Sequence, residues 1–143
     1  MYSNDKPKNQ LCQAINVMWY NFFMKAGKVF DLELFFAALS DRTRLRLLNL
    51  MRDGEVCVCF FAETLNTNNP KISRHLSYLK RAGLVTARRE GKWMHYKITE
   101  PQNEQAAELF ESTMKMIAAD PQMQSDAQTL IRVCCPPRVQ ITR

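Results

Sequence analysis

The chain has 143 residues, a hydrophobic content of 46%, five cysteines and a net charge of +6. The length fits one domain or one domain with arms, and the positive charge is compatible with a polyanionic partner. The N-terminus lacks the basic-then-apolar pattern of a signal peptide, and the apolar stretch over residues 15–24 is too short for a membrane span. We therefore expect a cytoplasmic protein without membrane contact. The odd cysteine count argues against a disulfide framework and for reduced thiols.

Helical periodicity dominates the first third of the chain. Residues 8–26 predict an amphipathic helix with a wide apolar stripe that includes Cys12. Asp31 opens a second helix through Leu39, and Ser40 is a suitable N-cap for a third helix over residues 41–52. In that third helix we expect Leu45, Leu48 and Met51 to face inward, and Arg42, Arg44 and Arg46 to be mostly solvated.

A short helix, a turn and a longer helix follow. Residues 57–66 predict the short helix, and Asn66–Asn69 form the turn. Asn69 can cap the longer helix, and Pro70 suits its first position because the missing N–H costs no intrahelical bond there. That helix runs to Ala82, where Gly83 is a natural terminator.

Two strands and a last helical stretch complete the pattern. Residues 84–89 and 92–99 predict strands around the turn signal Glu90-Gly91. Pro101 begins a helical stretch, and a polar tail follows with one or two helical turns near residues 121–131. Because a short helix, a turn, a second helix and a basic hairpin come in this order, we predict a mainly α fold with a small β-hairpin, a winged helix-turn-helix.

The chain then divides into four parts. They are an N-terminal dimerisation helix or arm at 1–30, a winged helix-turn-helix core at 31–100, a C-terminal dimerisation helix at 101–120 and a flexible cysteine-containing tail at 121–143. We expect a two-fold dimer through the terminal helices, because a small domain often completes its core with a partner copy. The residues expected at that interface are the stripe 11–23 with Phe110, Met114 and Ile117.

Positive charge concentrates in one part of the chain. Residues 69–97 hold eight basic residues against one acidic residue, a net charge of +7, whereas residues 101–128 have a net charge of −4. Such a patch on the second helix and hairpin is typical of phosphate contacts, so we predict binding to double-stranded DNA. The predicted DNA-binding residues are Lys71, Ser73, Arg74, His75, Ser77, Tyr78, Arg81, Arg88, Arg89 and Lys92.

Cys57 and Cys59 lie at the start of the short helix. Residues at i and i+2 of a regular helix point about 200° apart, so two sulfurs on one ion must either distort the first turn or use a non-helical chain end. Soft thiolates select soft acceptors such as As(III), Cd(II) and Pb(II). Cys12 and the adjacent Cys134 and Cys135 are candidates for a third ligand, and the C-terminal pair is the easier to recruit from a mobile tail.

Four segments together resemble the ArsR/SmtB family of metal-responsive repressors, most closely its arsenic-responsive branch. They are EVCVC at 55–59, NPKISRHL at 69–76, GLV at 83–85 and RREGKWMHY at 88–96. The resemblance covers roughly residues 33–100. It implies a winged helix homodimer that leaves its operator DNA when an inducer binds.

The resemblance also implies a ligand role for two of the cysteines. Cys57 and Cys59 match the two leading cysteines of the family's thiolate site, and As(III) is the implied inducer, with Sb(III) as an alternative. This sequence departs from the pattern at Ala62, where a third cysteine is usual, and at Phe60, where an acid is usual. Cadmium- and lead-sensing relatives complete such a pair from an N-terminal arm, a role that Cys12 can imitate. Residues 101–120 lack histidine, so the family's other metal site is not expected.

Other functions remain open at this stage. Within the same fold, the chain can be a cadmium or lead sensor, or a thiol redox sensor that uses Cys57/Cys59 or Cys134/Cys135. A thiol-dependent reductase is the alternative from a different class. None of the five cysteines lies in an oxyanion loop or a Cys-x-x-Cys pattern, so we expect no enzyme and no organic cofactor.

Overall fold

The computed structural model describes residues 30–134. The predicted helix over residues 8–26, with Cys12, lies outside these residues, and so does Cys135. The described helices are α1 (Leu32–Leu39), α2 (Arg42–Leu50), α3 (Val58–Thr64), α4 (Asn69–Arg81), α5 (Glu104–Ala118) and α6 (Pro121–Cys134). The described strands are β1 (Val56–Cys57), β2 (Val85–Glu90) and β3 (Trp93–Ile98). No helix within residues 30–134 is long and apolar enough to cross a membrane.

Aspartates cap the first two helices. The Asp31 carboxylate accepts a hydrogen bond from the backbone N–H of Leu34 at 2.8 Å, as expected for a cap at that position. The N-cap of α2 is Asp41, which accepts from the N–H of Arg44 at 2.9 Å, so the prediction of Ser40 was wrong by one residue. Ser40 instead closes α1, because its N–H and its hydroxyl both donate to the carbonyl of Ala37.

The next two helices also begin one residue from their predicted starts. Helix α3 starts at Val58 because Cys57 has an extended backbone, with φ −70° and ψ 140°, and pairs within the sheet. Helix α4 is capped by Asn68, whose side chain accepts from the N–H of Lys71 at 3.0 Å, rather than by Asn69. The terminator Gly83 has the positive φ of 74° that glycine favours, as expected.

The sheet has three antiparallel strands in the order β1-β3-β2. The hairpin turn lies at Gly91 and Lys92, one residue beyond the prediction, because Glu90 still pairs with Trp93. Strand β1 was not expected from the sequence. Its two residues pair with β3, so that Val56 faces Tyr96 and Cys57 faces His95.

The core lies between α1–α4 and the base of the hairpin. Helix α4 completely buries the row Ile72, Leu76 and Leu79, which the spacing i, i+4, i+7 sets on one face. They pack in a core with Leu47, Phe61 and other apolar side chains. Full burial of a large aliphatic side chain stabilises a fold by about 1.5–3 kcal/mol, so this row is sufficient to hold α4 with its opposite face outward.

Residues 121–134 form helix α6, so the prediction of a flexible tail was wrong for this part. Its carboxylate Asp126, with 4% of its side chain exposed, accepts from Arg46 Nε at 2.6 Å and from Arg46 Nη2 at 2.8 Å. Asn49 donates to the carbonyl of Met123 at 2.7 Å. These contacts fasten α6 to α2 and against α3.

The same contacts correct a second expectation. Arg46 and Arg44 were predicted to be solvated, but 24% and 13% of their side chains are exposed. Arg42 is exposed as expected and pairs with Asp120 at 3.0 Å. Leu48 and Met51 are buried as predicted, and Leu45 is half-buried.

We expect Arg46→Ala to lower the free energy of unfolding by about 2–3 kcal/mol, because it leaves the Asp126 carboxylate buried with only a glutamine amide as partner. The matched control is Arg42→Ala, which removes a more exposed ion pair and should cost less than about 1 kcal/mol. Urea unfolding monitored by circular dichroism measures both. Equal losses in the two variants would contradict a structural role for the Arg46–Asp126 pair.

Candidate nucleic-acid interface and thiol pair

The outer face of α4 is polar and open to solvent. Its exposed side chains are Lys71, Ser73, Arg74, Ser77 and Arg81, and Tyr78 is half-buried among them. Five of these residues, from Ser73 to Arg81, line one shallow groove. Helix α4 therefore has two distinct faces, an apolar one in the core and an outer one that carries hydrogen-bond donors.

Tyr78 is held between two guanidinium groups. The Arg44 Cζ atom lies 4.4 Å from the centre of the Tyr78 ring, and the Arg81 Cζ atom lies 5.1 Å from it. Arg44 also donates from Nε to the carbonyl of Ala38 at 2.9 Å, at the end of α1. This arginine joins α1, α2 and α4, and sequence reasoning missed it because its partners lie on separate elements.

His75 is turned away from the open face. Its Nδ1 lies 3.5 Å from the Asp41 carboxylate, and only 18% of its side chain is exposed. Burial lowers the pKa of His75, and nearby Asp41 only partly opposes that shift. The imidazole is thus mainly neutral at pH 7, which makes it a packing residue at the start of α2 rather than a cationic phosphate contact.

The three basic residues predicted on the hairpin differ in their surroundings. Arg89 is exposed, and Lys92 is exposed with its Nζ 5.1 Å from the centre of the Trp93 ring. Arg88 is bound by two carboxylates, since its Nη2 lies 2.6 Å from Glu55 and its Nη1 lies 2.8 Å from Glu90. Trp93, 47% exposed at the tip of the hairpin, was not predicted as a surface contact.

The structure brings Cys57 and Cys59 together. The Cys59 thiol donates to the Cys57 sulfur across 3.0 Å. The first helical turn is not distorted; instead, one of the two cysteines lies at a non-helical chain end. Cys57 is the last residue of strand β1, and its extended backbone allows its sulfur to approach Cys59. Cys57 is buried and Cys59 is half-buried, at the junction of β1 and α3.

Burial, followed by the hydrogen bond and the charge of Cys57, raises the pKa of Cys59 to about 11. The backbone N–H groups of Phe60 and Cys59 oppose this shift to a smaller extent. Cys59 is therefore protonated at neutral pH, and any thiolate bond that it forms must displace a proton.

The candidate third ligand Cys134 is exposed at the last residue of α6. Within residues 30–134, no three His, Cys, Asp or Glu side chains are grouped to hold a metal ion, so Cys134 does not complete a site with the pair. Ala62 and Phe60, where the resemblance departs from its pattern, are both half-buried on α3. Two soft sulfur donors suit a soft ion, and they supply only part of a trigonal ligand set.

The paired helices α3 and α4 followed by a β-hairpin define a winged helix-turn-helix. A family model described as "Bacterial regulatory protein, arsR family" matches residues 41–87. The chain is 38% identical over 81 residues to an arsenic resistance transcriptional regulator of Pseudomonas putida. The aligned region is 56% of the chain and 70% of that relative. The chain belongs to the arsR family of regulatory proteins.

Two further similarities agree with this membership. An arsenical resistance operon repressor of Escherichia coli is 45% identical over 65 residues, which is 45% of the chain and 56% of that relative. The chain thus spans little more than half of the length of the Escherichia coli repressor. A crystal structure of a possible transcriptional regulatory protein from Mycobacterium bovis is 34% identical, with a TM-score of 0.50, over 62% of the chain and 91% of that structure. The family and its structural neighbours are regulators rather than enzymes.

We expect Cys59 to react slowly with iodoacetamide at neutral pH, with a rate that rises with pH until about pH 11. Site-resolved mass spectrometry measures this rate, and an unstructured peptide of residues 55–61 gives the unperturbed reference. Cys57→Ser should shift the Cys59 profile to lower pH, because it removes the neighbouring sulfur's charge. A Cys59 profile that levels off at pH 9 or below would contradict the raised pKa.

Proposed function

We propose that this chain is a DNA-binding transcriptional repressor that leaves its operator when As(III) binds Cys57 and Cys59. The observation that carries the proposal is the 3.0 Å approach of the two sulfurs at the junction of β1 and α3, the helix that packs against α4. Sb(III) is an alternative inducer of the same chemistry. The names of arsenic-responsive relatives support this assignment.

DNA binding is supported by charge and by shape. Residues 69–97 have a net charge of +7, and the donors of α4 lie on one open face. A helix with an apolar back and a polar front suits the major groove, and Arg89 and Lys92 extend the positive surface along the hairpin. Arg74, exposed in the middle of α4, is the residue we assign to a base edge.

Ligation at the thiol pair needs a small rearrangement. Two sulfurs bonded to one ion at about 2.3 Å, the zinc–sulfur length, are about 3.3 Å apart at the near-right angles of a pyramidal three-coordinate ion and about 3.8 Å apart at the tetrahedral angle. The observed pair is closer than either separation, so binding must spread the sulfurs rather than draw them together. The unwinding of the first helical turn is thus not required, and the displacement falls on the junction between β1 and α3.

The third ligand would come from Cys134 and Cys135 or from Cys12. Helix α6, which ends at Cys134, packs against α3, which carries Cys59, but Cys134 is not grouped with Cys57 and Cys59, so the C-terminal pair would have to move to supply the ligand. A lead or cadmium ion would use the same donors, so Cd(II) and Pb(II) are the alternative inducers.

A thiol redox sensor is the second candidate. The sulfur–sulfur contact of 3.0 Å favours it, because a disulfide needs the two atoms to approach to about 2.05 Å. Release of operator DNA by peroxide, measured in the same way as release by arsenite, distinguishes a redox sensor from a metalloid sensor.

We also propose that the repressor acts as a homodimer. Phe110 and Ile117, predicted at the interface, are buried within the described core and are not available to a partner. Leu109 and Met116 on α5 are 42% and 70% exposed and lie seven residues apart, hence on one face. We propose that a second copy covers this face; to read two half-sites one duplex turn apart, the two α4 helices of the dimer would have to lie about 34 Å apart.

The double variant Cys57→Ser/Cys59→Ser should bind operator DNA like the wild type and remain bound at arsenite concentrations that release the wild type. The reason is that serine hydroxyls do not replace soft thiolates. Fluorescence anisotropy of a labelled operator measures release during titration with As(III), Sb(III), Cd(II), Pb(II), Zn(II) and peroxide. Cys134→Ser and Cys12→Ser test the third ligand separately. Normal release of the double variant by arsenite would place the sensing site elsewhere.

Arg74→Ala should weaken specific binding by about 1–3 kcal/mol and relax the preference at one base pair. Lys92→Ala should weaken all duplexes alike and lower the salt slope by about one unit, because it removes a phosphate contact. Titrations on operator and scrambled DNA at several salt concentrations separate the two effects. Unchanged specific binding in both variants would contradict the assignment of α4 as the reading helix.

A further inference from the structure

Arg88 is the one residue of the predicted DNA-binding set that two carboxylates hold within residues 30–134. Glu55 accepts from Arg88 Nη2 at 2.6 Å and from Arg88 Nε at 3.2 Å, and Glu90 lies 2.8 Å from Nη1. These contacts use both edges of the guanidinium. Two negative charges thus compensate Arg88 although 54% of its side chain is exposed, whereas neighbouring Arg89, also exposed, forms no ion pair within residues 30–134.

Glu55 connects this ion cluster to the thiol pair. It lies two residues before Cys57, at the entrance to β1, and 28% of its side chain is exposed. The sheet register sets Cys57 opposite His95 and His95 opposite Arg88. His95 lies between the carboxylates, with Nδ1 3.6 Å from Glu55 and Nε2 3.8 Å from Glu90. The cluster therefore links the residue just before β1 to both strands of the hairpin, β2 and β3.

We propose that Glu55 is a positioning residue, and that the cluster of Glu55, Arg88, Glu90 and His95 transmits ligation of the thiol pair to the hairpin. We call this cluster the wing latch. In it, Arg88 holds β2 to the segment that carries Cys57 and does not contact DNA phosphates. The proposal rests on the repressor function proposed above and adds its route of regulation.

The route follows from chain continuity. Spreading the sulfurs of Cys57 and Cys59 moves the end of β1, and Glu55 precedes that strand directly. Glu55 Oε1 accepts from both Nε and Nη2 of Arg88, and because these two donors belong to one rigid guanidinium edge, a shift of Glu55 moves Arg88 with it. Arg88 and Arg89 are adjacent in β2, so the displacement reaches the exposed cations of the hairpin. The ligand thereby alters the hairpin as well as α3 and α4.

The first arm of the test needs no inducer. Full-length Arg88→Gln and Arg89→Gln are titrated with operator DNA over a range of salt concentrations. We expect Arg89→Gln to lower the salt slope by about one unit, the effect of one lost phosphate contact, and Arg88→Gln to leave the slope unchanged. An equal fall in slope for both variants overturns the assignment of Arg88 as a latch.

The second arm measures coupling. Glu55→Gln is compared with Glu63→Gln, which removes the same charge from an exposed position on α3 outside the latch. The readout is the ratio of operator Kd with and without sodium arsenite, together with arsenite occupancy of the thiols. We expect Glu55→Gln to reduce the ratio at least threefold at unchanged occupancy, and Glu63→Gln to match the wild type. An unchanged ratio in Glu55→Gln overturns the latch.

The two proposals fail in different ways. If arsenite fills the thiols of the wild type but does not release DNA, the inducer mechanism is wrong, and so is the transmission through Glu55. The salt slopes of the first arm still decide whether Arg88 contacts phosphate. If arsenite releases the wild type and Glu55→Gln equally well, the repressor function stands and the latch alone is wrong.

Discussion

The pairing of Val56 and Cys57 with β3 is the constraint on which the functional part of the molecule depends. Because Cys57 is held in the sheet, its backbone is extended, and α3 begins only at Val58. The abrupt change from strand to helix is what brings two sulfurs at i and i+2 to within 3.0 Å. The same pairing directs Glu55 toward the hairpin and sets α3 against α4. One short strand thus joins the thiols, the hairpin and helix α4.

Local signals predicted most of the helix-turn-helix and the hairpin correctly. The apolar row of α4 and the glycine at position 83 act through residues close in sequence, so a sequence is enough to identify them. The errors at Ser40, Asn69 and the hairpin turn are all shifts by one residue. Two adjacent residues can each cap a helix, and the choice depends on which side chain reaches a free N–H in the folded chain.

The main contacts that sequence reasoning missed join separate elements of the fold. Strand β1 has two residues, too few for a period to be visible, and it forms only because β3 is available about 40 residues later. Helix α6 is polar in composition, and its burial depends on Arg46, 80 residues before Asp126. A basic residue on a helix usually faces solvent, so nothing local distinguishes Arg44 and Arg46 from Arg42. The contacts of Arg46 and Asn49 with α6 explain why residues 121–134 form an ordered helix and not a tail.

The protonation of Cys59 distinguishes the metalloid sensing that we propose for the thiol pair from the alternative of redox sensing. Oxidation by peroxide requires a thiolate, and a pKa of about 11 instead of 9.0 lowers the thiolate fraction at neutral pH by about a hundredfold. For a soft ion, the free energy needed to remove each thiol proton is offset by the sulfur–metal bond that replaces it. Burial of the pair therefore slows attack through Cys59 far more than it weakens ligation by two sulfurs. The geometry permits both reactions, but the proton equilibrium favours an ion that binds both sulfurs at once.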